Sequence, residues 1–355
     1  MARIAPTDLA ALLAATSRLL AACTPANMGS ERRRLEAEAA EGRFVMPAFS
    51  YVPEASVASA AAWATALATR PGTDSLLAER LEEIRLEGAI ATAAGTPALV
   101  PLAAQRFGAP TAAANALAGE WESESGDATP PPADCETDGP EPSSLASALK
   151  RRIFEEQLDF RVAVHPDLLA LAATGADCIY VAQNMRLSQE DVRRTVVHEI
   201  EGHAAPRTRA RRLGYPILSL GTRGGHDDQE GFALFCEERA GCLTPRRKGE
   251  LSLRHHAVVR MLDGATFADL TRWLVEERGR TPIQAVRLAL RIFRGSDGTF
   301  PGLGRERVYL ASFVRIRRHL GECPTDEALL RSGQVSLAAL PDLRNLLSGS
   351  GDAHV

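Results

Sequence analysis

The chain has 355 residues, 45% of them hydrophobic, with 41 Lys and Arg against 45 Asp and Glu and a formal net charge of −4, the make-up of a folded globular protein. No global basic field exists to draw in nucleic acid or an anionic membrane, and no apolar run is long enough to span a bilayer, so neither partner is expected. Six scattered cysteines (Cys23, Cys135, Cys178, Cys236, Cys242 and Cys323) form no C-x-x-C pair, which argues against a thiolate zinc site or a disulfide framework and for a reduced, cytoplasmic setting.

Scarce aromatics and abundant Ala, Leu and Arg predict a helix-rich fold. Residues 7–22, 56–69 and 73–94 read as helices. Leu20-Ala21-Ala22-Cys23 resembles a lipoprotein cleavage box, but Asp8 and Arg18 interrupt the apolar stretch that such a signal needs, and an amphipathic helix is the better reading. An irregular stretch runs from Pro25-Ala26-Asn27 through Pro47-Ala48-Phe49-Ser50-Tyr51. Glu120 to Pro142 holds eight acids, no bases and repeated Pro, Ser and Gly, too little apolar surface to order itself. Three regions are therefore expected: an N-terminal helical region 1–119, an acidic linker or loop 120–145, and a catalytic region 146–348.

Residues 158–164 alternate as a strand, 166–174 read as a short helix, and 177–183 as a second strand. Ser188 with Asp191 opens a helix that should run to about Ala205, where Pro206 stops it. From Gln229 onward the chain looks helical, with starts at Thr266/Asp269 and Thr281-Pro282. The fold expected is α+β and mostly helical, with a small sheet beside the helix that carries His198 and with 177–183 as the edge strand along which a substrate could lie.

Thr195-Val196-Val197-His198-Glu199-Ile200-Glu201-Gly202-His203 carries the chemical signal. In the familiar HExxH zinc motif, two His at i and i+4 share one helix face. Here the spacing is i, i+5, which in a regular helix puts the second ring about 140° round from the first. A single π-type turn would bring the two into line, and Gly202 lowers the cost of local distortion. With 8 His and 45 acids in the chain, such a pattern arises by chance far less than once per sequence.

A catalytic zinc site needs a third protein ligand. Residues 226–238 offer one. Asp228 can cap a helix starting at Gln229, placing Glu230 in its first turn and Glu237 two turns further along the same face. Glu230 is the favoured ligand, with Glu237 holding a ligating His in orientation. His226, Asp227 and Asp228 are competing ligands.

HEIEGH followed 26 residues later by QEGFA resembles the microtubule-associated tyrosine carboxypeptidase family, whose bacterial members carry a QEGLA motif. Thr24-Pro25-Ala26-Asn27, Pro47-Ala48-Phe49-Ser50-Tyr51, Arg291-Ile292-Phe293-Arg294-Gly295 and Arg307-Val308-Tyr309-Leu310 are similar to further family blocks, so the likeness spans roughly residues 20–345. It implies a zincin-like metallopeptidase with one Zn²⁺ held by His198, His203 and Glu230, Glu199 as catalytic base, and a peptide or protein C-terminus, aromatic at its last residue, as substrate. The chain departs from the family at Glu201-Gly202, at Pro206-Arg207, at Arg305-Glu306 and at Ser312.

Such chemistry also needs a donor for the oxyanion, for which Tyr309 is the candidate, and an Arg for the terminal carboxylate. Arg294 lies in the matching block, with Arg291 and Arg223 as alternatives. Two other functions compete: a zinc amidohydrolase acting on a different amide, and a non-catalytic module using zinc structurally. Glu199 argues against the latter, because a closed structural site needs no base.

Overall fold

Amphipathic periodicity and side-chain caps dictate most of the architecture of this chain, described by a computed structural model over residues 6–19, 21–52, 55–68, 74–126 and 131–348. The N-terminal part is helical: α1 (Pro6–Leu19), α2 (Met28–Ala40), α3 (Ala55–Ala68), α4 (Ser75–Thr92), α5 (Leu99–Phe107) and α6 (Ala112–Ser125). Helix α2 occupies the stretch expected to be irregular. Met28, Glu31, Leu35 and Ala39 recur at helical spacing and are its buried face, a pattern masked by the charged residues between them.

The acidic segment is more ordered than its composition suggests. Helix α6 runs through Glu120–Ser125 with Trp121 buried, and strand β1 (Cys135–Glu136) buries Cys135. Thr137 and Ser144 are buried as well, and Ser144 caps α7 (Leu145–Glu155). Neighbouring elements supply the apolar surface that the segment lacks.

Strands β2 (Arg161–His165), β3 (Ala172–Thr174) and β4 (Cys178–Ala182) form a three-stranded sheet in the order β2-β4-β3, with β2 parallel and β3 antiparallel to β4. β5 (Arg186–Leu187) pairs with β1. Two expectations change here. Residues 166–174 are a turn leading into β3, not a helix, because Ala172–Thr174 pair with Ile179–Val181. Residues 177–183 contain the central strand, and β3 is the edge next to the helix bearing His198.

That helix, α8 (Gln189–Glu199), starts at a capping box in which Ser188 and Asp191 bond each other's backbone N–H. It passes through a π turn, Ile200–Ala204, directly into α9 (Ala205–Leu213). Pro206 therefore does not close the helix; it lies at the junction of the π turn and α9, where the helical backbone continues through it. α10 (Pro216–Leu220) leads to α11 (Gly225–Arg239). Then come α12 (Pro245–Leu262), α13 (Phe267–Glu276), α14 (Pro282–Ile292), α15 (Val308–Glu322), α16 (Glu327–Leu330) and α17 (Leu340–Ser348), with helix starts at Thr266/Asp269 and Thr281-Pro282 as expected, and with Gln284 completing a capping box at Thr281. The chain is thus mostly helical with a small sheet.

Leu145, Leu149, Ile179, Val181, Val192, Val196 and Ile200 pack the sheet, α7 and α8 into one core. Across from it, Phe232, Cys236 and Ile316 belong to the core behind α11 and α15. Helices α8 and α11 meet between these cores. All six cysteines are free thiols, and no helix among the described residues is long and apolar enough to cross a membrane.

Candidate metal centre

The π turn does what the i, i+5 spacing demands. His198 lies in the last turn of α8 and His203 within the π turn, yet their Nε2 atoms are 3.4 Å apart. Gly202 serves this geometry differently from the sequence expectation: it has no positive φ. What it provides is room, because a Cβ there would lie 2.3 Å from the Cβ of Ala233 on α11. Its missing side chain lets the π turn rest against α11, and Gly231 does the same between α11 and α15, where a Cβ would meet the Ser312 carbonyl carbon at 2.4 Å.

Close approach brings Glu230 to the imidazoles. Its Oε2 lies 3.4 Å from His198 Nε2 and 3.7 Å from His203 Nε2, and all three side chains are buried. Glu230 is not in a first turn capped by Asp228. The helix begins at Gly225, four residues before the expected start at Gln229, and Asp228 instead accepts from Arg315 Nη2 at 2.6 Å and from the Leu337 N–H at 2.9 Å. Asp227 pairs with Arg106 at 2.8 Å, and His226 lies outside the three-donor group. The competing ligands are thereby engaged elsewhere or set apart.

The outer ring nitrogens decide where the inner lone pairs are. His198 Nδ1 lies 2.7 Å from Glu237 Oε1, and a carboxylate only accepts, so that nitrogen carries the proton. Glu237 in turn takes Arg247 Nε at 2.9 Å and Nη2 at 3.0 Å. His203 Nδ1 donates to Gln229 Oε1 at 3.1 Å. With both rings neutral, the Nε2 atoms face inward as acceptors, towards a carboxylate oxygen, Glu230 Oε2, that has no hydrogen-bond partner. Three such atoms converging in a buried site suit a cation, which would take the place of the proton that the neighbouring carboxylates otherwise favour on His198. Their separations match the edge of a tetrahedron with bonds of about 2.1 Å, which is about 3.4 Å and is the geometry of zinc with N and O ligands.

The electrostatics agree. Burial opposes charge on His198, but Glu230 and Glu237 outweigh it and bring the ring up to about 9. Burial also opposes ionisation of Glu230, yet His198, His203 and Arg305 hold its carboxyl far below the usual range. The pocket thus favours added positive charge.

Glu199 lies beside this centre, buried, with its Oε2 accepting from Thr174 Oγ1 at 2.7 Å. Thr174 ends the edge strand β3, so the sheet orients this carboxylate directly. Two cavities meet here. An open cleft of about 350 Å³ and a more enclosed chamber of about 340 Å³ share His198, Glu199, Arg291 and Tyr309 as lining. Arg291 gives both Nε and Nη2 to Glu306 Oε1, at 3.0 and 2.6 Å. Arg294 and Arg207 line the chamber, and neither is paired with a carboxylate among the described residues; Arg207 Nε has no partner. Arg305 donates to Glu230 Oε1 at 3.0 Å. Arg223 is exposed and does not line the chamber.

Thr174, Gln229 and Arg305 are contributors that the residue-by-residue reading passed over. Gln229 had a usable signal, being adjacent to Glu230 and 26 residues from His203. Thr174 had none, because its position depends on sheet pairing.

The helical fold and the three converging donors, with a further carboxylate at hand between two cavities, define a centre suited to hydrolysis. The chain matches the family described as microtubule-associated tyrosine carboxypeptidase over residues 39–350, and it belongs to that family. Membership implies a carboxypeptidase acting on a peptide or protein. No curated protein matches the chain.

Proposed function

We propose that this chain is a zinc-dependent carboxypeptidase, zincin-like in arrangement, with the ion held by His198, His203 and Glu230. The observation that carries the reading is the meeting of three buried donor atoms, from His198, His203 and Glu230, beside the Thr174-bound carboxylate of Glu199. Zinc supplies Lewis acidity when bound, polarising an amide carbonyl and acidifying water. Glu199, steadied by Thr174, takes a proton from the attacking water and delivers it to the leaving amine. Tyr309, on the wall shared by the two cavities, donates to the developing oxyanion.

The open cleft takes the body of the peptide, and the chamber takes its last residue. Arg294 binds the terminal carboxylate there, since its guanidinium is unspent while that of Arg291 is held by Glu306. Leu169, Leu220 and Leu303 line the chamber and offer apolar surface to an aromatic side chain, the preference that the family description supports.

Glu199→Gln should keep stoichiometric zinc and lower turnover by about 10²–10⁴-fold. Elemental analysis reads the metal, and mass spectrometry of a peptide library reads release of single C-terminal residues. Undiminished release by the zinc-loaded variant, or release that persists after the metal is stripped, would overturn the mechanism.

A further inference from the structure

His226 sits four residues before Glu230 on α11, on the same helix face, and lines the chamber together with Arg207, Arg294 and Arg305. A chain of amides links it to the metal centre. His203 Nδ1 donates to Gln229 Oε1 at 3.1 Å. That same oxygen accepts from Gln334 Nε2 at 3.1 Å, and Gln334 Nε2 also lies 3.3 Å from His226 Nδ1.

The polarity of every link follows from the first. A ligating His203 needs its Nε2 lone pair free, so its proton is on Nδ1. That proton requires the oxygen end of Gln229, and the oxygen end of Gln229 requires the NH₂ end of Gln334. The second hydrogen of that NH₂ group points to His226 Nδ1, which must be a bare acceptor. A neutral ring with bare Nδ1 carries its proton on Nε2. No described residue accepts from that N–H. Burial, with Arg80, Arg207, Arg305 and Arg106 nearby, keeps the ring neutral by pushing its pKa well below the ordinary value.

We propose that His226 is a substrate-binding residue, its Nε2–H donating to a carboxylate oxygen of the C-terminal residue alongside Arg294, and that its tautomer is set by the metal ligand His203 through Gln229 and Gln334. This rests on the carboxypeptidase reading. Among the guanidiniums of the chamber, His226 adds direction without charge: one N–H along one line, where a guanidinium offers five.

The test compares His226→Met and His226→Gln with the unaltered zinc-loaded protein. His226→Met should raise KM for a peptide by about 10- to 100-fold with kcat changed by less than about threefold, the mark of a hydrogen bond to a charged group made equally in ground and transition states. His226→Gln, which keeps a donor, should recover part of the loss. N-acetyltyrosine should bind less tightly to His226→Met by a similar factor, and N-acetyltyrosine amide should bind both proteins alike. Long-range ¹H–¹⁵N spectra of histidine-labelled protein should show His226 as the Nε2–H tautomer, and Gln334→Met should release that preference.

An unchanged KM and N-acetyltyrosine affinity in folded, zinc-loaded His226→Met, or an Nδ1–H tautomer in the unaltered protein, overturns the inference. Should the unaltered protein release no C-terminal residue, the proposed function fails, and N-acetyltyrosine binding still decides the role of His226. If N-acetyltyrosine binds neither protein, both readings fall.

Discussion

The two imidazoles of the centre are held in opposite ways. On the α8 side, His198 is tied to a buried ion pair, Glu237 with Arg247. On the side facing the chamber, His203 is tied to neutral amides, Gln229 and then Gln334. Their acid–base behaviour follows: burial is overcome at His198, which is brought up to about 9, whereas burial prevails at His203 and lowers it. The ionic tether makes one ring a strong electron donor and anchors it in the core. The amide tether orients the other ring without charge, on the side where substrate charge must be accommodated.

Breaking the ionic tether should have the largest effect. Glu237→Met leaves buried Arg247 with only the more distant carboxylate of Glu250, at 3.8 Å, a loss of about 3–5 kcal/mol in denaturant unfolding, and should weaken zinc by about 10–100-fold in chelator competition. Gln229→Met removes only neutral bonds and should lose about 1–3 kcal/mol. Equal losses in the two variants would show that the tethers do not differ in kind. Gly202→Ala strikes the contact that brings the two sides together. Its Cβ would overlap Ala233, and a destabilisation of about 1–3 kcal/mol should come with lower zinc occupancy; a variant with full occupancy would separate helix contact from ligand geometry.

The smallest effect calibrates the others. His255, buried and donating through Nε2 to Asn115 at 2.7 Å, lies outside both tethers, and burial pushes it down from 6.5 to about 4. The unfolded chain therefore binds the extra proton first, so stability falls as pH drops from about 6.5 towards 4. His255→Gln should flatten that part of the urea-midpoint profile measured between pH 7 and 5. An unchanged slope would remove His255 from the acid response.

What the sequence disclosed was whatever depends on spacing along one helix. The i, i+5 histidines called for a π turn, and Ile200–Ala204 is one. Glu237 at seven residues from Glu230 fell on the face that reaches His198. Pairing across the chain was not legible. Ala172–Thr174 is too short to show alternation, so the edge strand and the Thr174 hydroxyl on Glu199 are hidden in the sequence, and the central strand reads there as the edge. Helix α2 was concealed because Arg and Glu fill its exposed faces. The acidic stretch misled for the converse reason: composition describes a segment alone, and Trp121 and Cys135 are buried by elements elsewhere in the chain.

The π turn has an effect beyond the two rings it aligns. One additional residue in a single turn rotates everything after it by about 100° relative to an uninterrupted helix. Arg207, four residues past His203, reaches the chamber wall from that altered azimuth. The same inserted residue thus sets where α9 aims its cation. Shortening the turn by one position would restore an HExxH-like pitch at the histidines while swinging that guanidinium out of the chamber, so the motif's length and the chamber's charge must change together.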